Sequence, residues 1–522
     1  MAGEITALHK RNPIKNTVGN VAAQRRRQHA VSVAKERREA TFRTKRRCNE
    51  IVNIDMDDVA TNGDMMIEEE PSVLEAQTSS AVENLKLALS LKGKDAVQNK
   101  VNALRDLRRL LSRSDFPVVE IAIKRGAISL LSQCLSFGSE DEQLVEAAWC
   151  LTNISAGKSE ETKALLPTLP LLIAHLGGKS SLSVAKQCAW ALGNVAGEGD
   201  ELRDLLLSQG ALRLVARMMM SDDASTVRIA SWVLSNFIKG SDPETAAELV
   251  KIDGVLDAIL LHLKKPDVEL TTEVAWVVAY LSASDVAASM LIKTDVIQVL
   301  VGRLASSNSL QSLIPLLRSL GNLMASDDYT TDDVLVPGHE ITVFTDSIIR
   351  SLSKCLKSDH RGLKKEAAWV LSNIAAGSAG HKQLICKSEA ASILLKLLNT
   401  EQFDLKREVA YVIGNLCVGP ADDGSRRPSL LMDHLVSFVR NGCLNGFIHL
   451  VRSADSEAAR IGLQFIQLVL RGMPDGEGQK LIEGADGIDA IEMLQYHEND
   501  DLSMMAGFLL DSYFGETNGL DE

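Results

Sequence analysis

Apolar residues recur along the chain at the spacing of one face of an α-helix. In segments such as Gly126–Leu135, Gly210–Met219 and Asp253–Leu263 they stand at about i, i+3, i+4 and i+7, which is the helical period. A tight turn before such a helix needs a residue that tolerates unusual φ, and glycines stand at these places: Gly126, Gly210, Gly254 and Gly442. The pattern predicts a succession of short amphipathic helices.

A second apolar segment, which carries a Trp and an Asn, alternates with these helices and repeats. All five Trp of the chain fall in it. The equivalent positions are 149, 190, 232, 276, 318, 369 and 411, with weaker copies near Arg105 and Arg460. Most of these positions are 41 to 44 residues apart, and a regular period of this length indicates stacked repeats. WD40 propeller blades of this length need short β-branched strands and a Trp-Asp signature, and both are missing. We therefore expect an all-α fold, a right-handed α-solenoid of about ten repeats.

Trp and Asn stand four residues apart in most copies, so their side chains are neighbours on one helix face. In one interpretation the Trp packs in the core and the Asn bonds a backbone carbonyl. In the other, the Asn amides hold the backbone of an extended peptide, while adjacent indoles form slots for Lys or Arg stems, with a cation–π attraction of about 0.5–2 kcal/mol per contact. The regularity favours the second interpretation, because an Asn that recurs behind Trp is a poor core residue.

Charge is unevenly distributed over the 522 residues. Residues 1–50 contain 13 Lys and Arg against four Glu, a charge of +9, whereas the other 472 residues carry −22. An acidic body favours a basic ligand and disfavours direct binding of nucleic acid. No apolar run approaches the length of about 18 residues that suggests a membrane span. We expect a basic, partly disordered arm joined to an acidic body, with no membrane insertion.

Motifs for catalysis, phosphate binding and metal binding are absent from the sequence. It contains no G-x-x-x-x-G-K-[ST] phosphate loop, no G-x-S-x-G nucleophile elbow and no H-E-x-x-H zinc motif. The ten His are scattered, and none lies with a Cys at metal-ligand spacing. The sequence therefore predicts a protein that is not an enzyme and that holds no metal or cofactor.

The Trp/Asn array and the basic arm together resemble the importin alpha family of armadillo-repeat proteins, over nearly the whole chain. Arg11–Lys15 and the GEGQKLIEGADGIDAIE segment are most similar to a divergent plant isoform of that family, the ninth. The resemblance implies an adaptor that binds nuclear localisation signals in a concave groove, links them to importin beta, and shuttles between cytoplasm and nucleus. It implies an importin beta-binding arm (1–50), an acidic flexible linker (51–75), an armadillo-repeat solenoid (76–515) and an acidic tail (516–522).

The resemblance also implies two signal-binding sites. The residues of the major site are Trp149, Asn153, Thr162, Trp190, Asn194, Glu198, Trp232 and Asn236. Those of the minor site are Tyr280, Arg318, Asn322, Glu366, Trp369, Asn373, Glu408, Tyr411 and Asn415. Two residues depart from the family's pattern, because Glu198 replaces an Asp and Tyr411 replaces a Trp. A smaller ring makes a weaker slot, so we expect a weaker minor site.

Residues 25–47 resemble the importin beta-binding segment of the family. The residues expected to bind importin beta, and to occupy the groove in cis, are Arg25, Arg26, Arg27, Arg37, Arg38, Lys45, Arg46 and Arg47. A linker makes this competition intramolecular, at an effective concentration on the order of mM. Other expected partners are basic signal peptides of cargo and an export receptor of the importin beta superfamily. Residues 327–337 and 419–428 are expected to be surface loops.

An armadillo scaffold that binds peptides of its partners without a role in transport is the runner-up. The Asn row and the basic arm favour the adaptor, since a generic scaffold needs neither.

Overall fold

The structure is a computed structural model, and it describes residues 71–93, 95–112, 118–239, 243–325, 343–419 and 431–515. The chain divides into two compact units, whose described parts lie within residues 71–287 and 288–515. We call them the N-terminal unit and the C-terminal unit. The regular elements of both are helices, with short 3₁₀ turns at Leu166–Thr168 and Pro474–Gly476.

The N-terminal unit contains fourteen α-helices in its described residues. They are α1 (Pro71–Ser90), α2 (Ala96–Leu111), α3 (Val118–Lys124), α4 (Ala127–Cys134), α5 (Asp141–Ser155), α6 (Ser159–Lys163), α7 (Leu169–Ala174), α8 (Leu182–Glu198), α9 (Asp200–Ser208), α10 (Ala211–Met218), α11 (Ala224–Ile238), α12 (Pro243–Val250), α13 (Val255–Leu263) and α14 (Val268–Leu281).

Helix α15 (Asp285–Ile292) contains the boundary between the units in the sequence. The described helices that follow it are α16 (Val296–Ser306), α17 (Leu310–Met324), α18 (Val343–Leu356), α19 (Arg361–Ala375), α20 (Ala379–Lys387), α21 (Glu389–Thr400), α22 (Phe403–Leu416), α23 (Met432–Arg440), α24 (Leu444–Val451), α25 (Ser456–Gly472), α26 (Glu477–Glu483), α27 (Gly487–Gln495) and α28 (Asp500–Tyr513).

One helix of each repeat, which we call the third helix, carries the Trp/Asn positions. The third helices are α2, α5, α8, α11 and α14 in the N-terminal unit, and α17, α19, α22, α25 and α28 in the C-terminal unit. Within each unit, successive third helices pack side by side. Ten third helices in the described residues confirm the predicted all-α solenoid of about ten repeats.

Local sequence signals set the ends of these helices as expected. Gly210 and Gly254 both have φ of 79°, a left-handed conformation that costs glycine little. Three third helices, α11, α14 and α25, follow an aspartate that accepts a hydrogen bond from a backbone N–H of the first turn. For Asp223 this bond to the Thr226 N–H is 2.9 Å long, and for Asp267 the bond to the Leu270 N–H is 3.0 Å long. In the part of the chain that the structure describes, no helix has the length and apolar character needed to span a membrane.

The predicted linker overlaps the first helix. Helix α1 begins at Pro71, because proline is well tolerated in the first turn of a helix, so residues 71–75 are helical. The arm (1–50), the rest of the linker (51–70), the loop at 327–337, nearly all of the loop at 419–428 and the tail (516–522) lie outside the described residues.

Candidate functional site

The Trp and Asn positions form a row within each unit. We call positions 149/153, 190/194, 232/236 and 276/280 the N-terminal ladder, and positions 318/322, 369/373 and 411/415 the C-terminal ladder. Both lie on third helices that pack against one another. The structure thus brings the members of each ladder together. It places Tyr280 in the N-terminal unit, whereas the other predicted minor-site residues lie in the C-terminal unit.

The indoles of the ladders lie at two depths. Trp149, Trp190 and Trp276 are half-buried, whereas Trp232 is only 6% exposed and Trp369 only 4%. The difference matters for a ligand, because only a half-buried indole offers part of its face to a passing side chain.

Glycines under the two deep indoles explain their depth. A Cβ added at Gly193 would lie 2.3 Å from Cζ3 of Trp232, and one added at Gly321 would lie 2.6 Å from Cζ3 of Trp369. Each ring therefore rests directly on the backbone of the preceding third helix. Each glycine stands immediately before a ladder Asn.

The sinking of Trp232 also brings it against Trp190. The ring centroids are 6.2 Å apart and the ring planes meet at 62°, an edge-to-face contact. The sequence predicted slots for lysine stems between adjacent indoles, and here the two rings meet edge to face. Part of the Trp190 ring stays exposed beside this contact.

In five third helices an Asn amide bonds the third helix that precedes it along the chain. The Nδ2 of Asn236 donates to the carbonyl of Gly193 at 2.9 Å, and the other donors follow the same direction along the chain. They are Asn153 to Ser112 Oγ (3.0 Å), Asn194 to Thr152 O (3.3 Å) and Ser155 Oγ (3.0 Å), Asn373 to Gly321 O (2.9 Å) and Asn415 to Ser372 O (3.0 Å). Most of these amide nitrogens donate to a backbone carbonyl, as the first interpretation expected. Asn322, on α17, is also buried, with 2% of its surface exposed.

The amide oxygens differ from the nitrogens. Oδ1 of Asn194 and Oδ1 of Asn236 are buried and have no hydrogen-bond partner among the described residues. The indole N–H of Trp190, on the same helix as Asn194, is also unpartnered there. A buried polar atom without a partner is uncommon and costs about 1–3 kcal/mol. They lie beneath the surface of the free chain, so a ligand would bond them only after these side chains turn outward.

Arginine stands at the Trp position of three third helices and is ion-paired with the next third helix. The pairs are Arg105 Nε with Glu146 Oε1 (3.1 Å), Arg318 Nη2 with Glu366 Oε1 (2.8 Å) and Arg460 Nη1 with Asp501 Oδ2 (3.5 Å). Each arginine places an ion-paired guanidinium where other third helices have an aromatic ring. The predicted break at Arg318 is therefore a salt bridge, and Glu366 is the carboxylate that holds it.

Thr162 and Glu198 were expected to receive a key lysine. Thr162 lies on α6 and is 1% exposed, and its hydroxyl donates to the carbonyl of Ser155 at 3.1 Å. That bond closes the C-terminal end of α5. Glu198 is the half-buried last residue of α8. The hydroxyl of Thr162 retains its lone pairs, so it can still accept from a lysine.

Tyr411 has a partner that its sequence position did not indicate. Its hydroxyl donates to Glu457 on α25, the next third helix. Burial opposes the charge of the neighbouring Arg407, yet the carboxylates of Glu408, Glu457 and Asp455 raise the pKa of its guanidinium. Asp455 contacts Arg407 at 3.1 Å. The ladder position with the smaller ring is thus the one with a cluster of carboxylates beside it.

The described residues were expected to hold no metal ion. No group of His, Cys, Asp and Glu there could hold a metal ion. The eight basic residues named for the arm lie outside the described residues, as does the loop at 327–337.

Comparisons with known proteins agree with the repeat pattern. A model of the armadillo/beta-catenin-like repeat matches residues 338–376, and one of an atypical armadillo repeat matches residues 479–522. The solved structure of an engineered protein aligns with a TM-score of 0.70 and 22% identity, covering 83% of this chain and 99% of that one, which supports the fold.

Curated relatives align along the whole chain. Importin subunit alpha-9 of Arabidopsis thaliana is 61% identical, with 100% of both chains covered. Importin subunit alpha-2 of Oryza sativa subsp. japonica is 57% identical, covering 98% of this chain and 97% of its own length. Importin subunit alpha-1b of the same rice is 30% identical over 80% of this chain and 76% of its own. The resemblance to the ninth plant isoform is confirmed. With these identities over the full length and armadillo repeats in its fold, the chain belongs to the importin alpha family of nuclear import proteins.

Proposed function

We propose that this chain is a nuclear import adaptor that binds the basic localisation signal of a cargo protein on its ladders. The observation that carries the proposal is the pair of buried, unpartnered oxygens on Asn194 and Asn236, beside the half-buried ring of Trp190. An extended peptide offers a backbone N–H at regular intervals, and these oxygens are acceptors at regular intervals. Binding that turns the two amides outward would satisfy groups that the chain alone leaves without partners.

The chemistry of the ladders selects a basic peptide. The exposed parts of Trp149 and Trp190 attract cations held above them, and the body of the chain carries −22. Glu198 supplies a carboxylate at the C-terminal end of α8, and Thr162 supplies a hydroxyl beside the C-terminal end of α5. A lysine can place its stem on an indole and its head on such groups.

The C-terminal ladder would form a second, minor site. Its residues Glu366, Trp369, Asn373, Glu408, Tyr411 and Asn415 lie on α19 and α22. Arg318 and Asn322 stand before them on α17, where the salt bridge to Glu366 ends the row. A signal with two basic clusters would place one on each ladder.

The arm completes the proposed adaptor. Residues 1–50 would bind importin beta, and Lys45, Arg46 and Arg47 would occupy a ladder when importin beta is absent. An export receptor of the importin beta superfamily would return the chain from the nucleus, so the chain would be found in both cytoplasm and nucleus. No enzymatic step is part of this function.

A titration with a fluorescent monopartite signal peptide tests the proposal. We expect the full-length chain to bind weakly. Adding importin beta, or replacing Lys45, Arg46 and Arg47 with Ala, should raise the affinity about 10- to 100-fold, because the internal competitor is removed. Equal affinities in all three would show that the arm does not compete.

A second comparison tests the ladder itself. In the variant without the basic triplet, Asn194→Ala with Asn236→Ala should bind the signal at least about tenfold more weakly, since two hydrogen bonds are lost. Asn99→Ala with Asn441→Ala is the matched control, because both residues are exposed and outside the ladders. Peptide binding that is unaffected by the ladder pair would favour the scaffold alternative.

A further inference from the structure

The first indole of the N-terminal ladder already has a cation on it. Arg108, on α2, places its Cζ 4.0 Å from the centroid of the Trp149 ring. This is the geometry of a cation–π contact, and it is the contact that a lysine or arginine of a signal peptide would make. Because Arg108 belongs to the preceding third helix, the covered face of the indole is the one turned towards α2.

The position of Arg108 in the repeat explains why it lies there. Two deep indoles of the ladders rest on a glycine that stands immediately before a ladder Asn position, namely Gly193 and Gly321. In the first repeat the Trp position is 105, the Asn position is therefore 109, and the residue before it is Arg108. At this position α8 and α17 have a glycine, whereas α2 has the long cationic side chain of Arg108.

Other contacts fix Arg108 in this place. Its Nε donates to Glu146 Oε2 at 2.7 Å, and the side chains of Arg108 and Glu146 are 8% and 10% exposed. Charge-assisted bonds in such surroundings are strong. A cargo cation that displaced Arg108 would have to break this pair and would gain only the same contact with the ring.

We infer that Arg108 is a specificity-determining residue, which closes the α2 side of Trp149 to cargo and thereby limits how many consecutive basic residues of a signal can be bound. This inference rests on the proposed function. The row would accept cations from the α5–α8 side of Trp149 onwards, and a further basic residue reaching past Trp149 would find its place taken.

The chain offers a matched control in Arg105. It bonds the same Glu146, at 3.1 Å, and also Glu142, so Arg105→Met removes one positive charge from the same cluster. Arg108→Met removes the same charge and also uncovers the indole. In either variant Glu146 keeps the other arginine. Glu142 loses its ion pair in Arg105→Met, but its side chain is exposed, so water replaces the lost partner.

The experiment measures Kd at fixed ionic strength for signal peptides that differ in length. A basic core is extended at one end or the other by Lys or, as a reference, by Ala, and each peptide is titrated into the full-length wild-type chain and the two variants. For one of the two ends, we expect the gain from Lys over Ala to be about 2- to 30-fold larger in Arg108→Met than in Arg105→Met and wild type.

Each outcome is decisive. The same gain in all three proteins, or equal increases in both variants, would overturn the inference, the second because it would reflect net charge alone. If Arg108→Met does not unfold cooperatively, Arg108→Gln replaces it, because it also removes the cation from the indole, and its gain must exceed that of wild type for the inference to stand. If the wild-type chain binds no signal peptide at all, the proposed function fails first, whereas binding with an unchanged dependence on length removes only the role of Arg108.

Discussion

Asn236→Ala should weaken peptide binding far more than it weakens the fold. The substitution deletes the 2.9 Å bond from the Asn236 amide to the carbonyl of Gly193. Losing this bond costs about 0.5–1.5 kcal/mol, because the carbonyl lies inside α8 and keeps its helical hydrogen bond. The same substitution also removes the buried Oδ1 of Asn236, which has no partner in the described chain and whose burial costs a similar amount.

These two contributions oppose each other in the unliganded chain. We therefore expect the free energy of unfolding to change by no more than about 1 kcal/mol, because the lost hydrogen bond is offset by the removal of an unsatisfied buried oxygen. In the complex the oxygen would be satisfied by the peptide, so its loss should reduce affinity by about 1–3 kcal/mol, or roughly 5- to 150-fold.

Asn415→Ala provides the comparison. It loses an equivalent bond, 3.0 Å to the carbonyl of Ser372, but Asn415 has no buried unpartnered oxygen to remove. It should destabilise the fold by about 0.5–1.5 kcal/mol with nothing to offset the loss, while the Ser372 carbonyl keeps its bond from the Ala376 N–H at 3.1 Å. Urea unfolding followed by far-UV circular dichroism gives the stability of both variants, and anisotropy titration gives the affinity of Asn236→Ala. Equal destabilisation by both, with the peptide affinity of Asn236→Ala unchanged, would refute the idea that the oxygen is kept for a ligand.

Three further measurements follow from charge, burial and packing. Association of a lysine-rich peptide with a body of −22 should slow as salt is raised while dissociation changes less, and stopped-flow rates that stay constant over a tenfold range of salt would contradict this. Burial lowers the pKa of His262 below its ordinary 6.5. The fold therefore favours the neutral ring, and the free energy of unfolding should fall as the pH drops below about 6.5. His262→Gln should flatten the dependence of the melting temperature on pH, and an identical dependence in both proteins would argue against this explanation. Gly193→Ala should destabilise by about 1–3 kcal/mol, because the new Cβ would lie 2.3 Å from Trp232, whereas Gly414→Ala, with nothing within 4 Å, should be neutral or stabilising in the same denaturation assay.

The sequence was sufficient to predict the helices and the positions on them, but not what lies opposite those positions. The spacing of Trp and Asn identified the third helices, and positive φ at Gly210 and Gly254 was expected from the turns they make. The direction in which each Asn amide donates could not be predicted, because it depends on a carbonyl about 43 residues earlier, as for Asn236 and Gly193.

Contacts between neighbouring repeats account for the other differences. The hydroxyl of Tyr411 reaches Glu457, and Arg108 reaches Trp149, each across to the adjacent third helix. A single sequence gives the face of a helix on which a residue stands, but the partner depends on how far two helices interpenetrate. That distance follows from small differences, such as a glycine at position 193, whose effect on Trp232 appears only when both helices are in place.

The glycine beneath Trp232 also bears on how such a protein can be recombined. The ring of one repeat, the glycine of the previous repeat and the Asn236 amide that bonds its carbonyl form one packed group. The smallest interchangeable module is therefore not a repeat as counted along the sequence, but the facing halves of two successive third helices. A chimaera joined between repeats would place a foreign side chain under the indole, whereas one that transfers α8 and α11 together would carry the complete binding element with it.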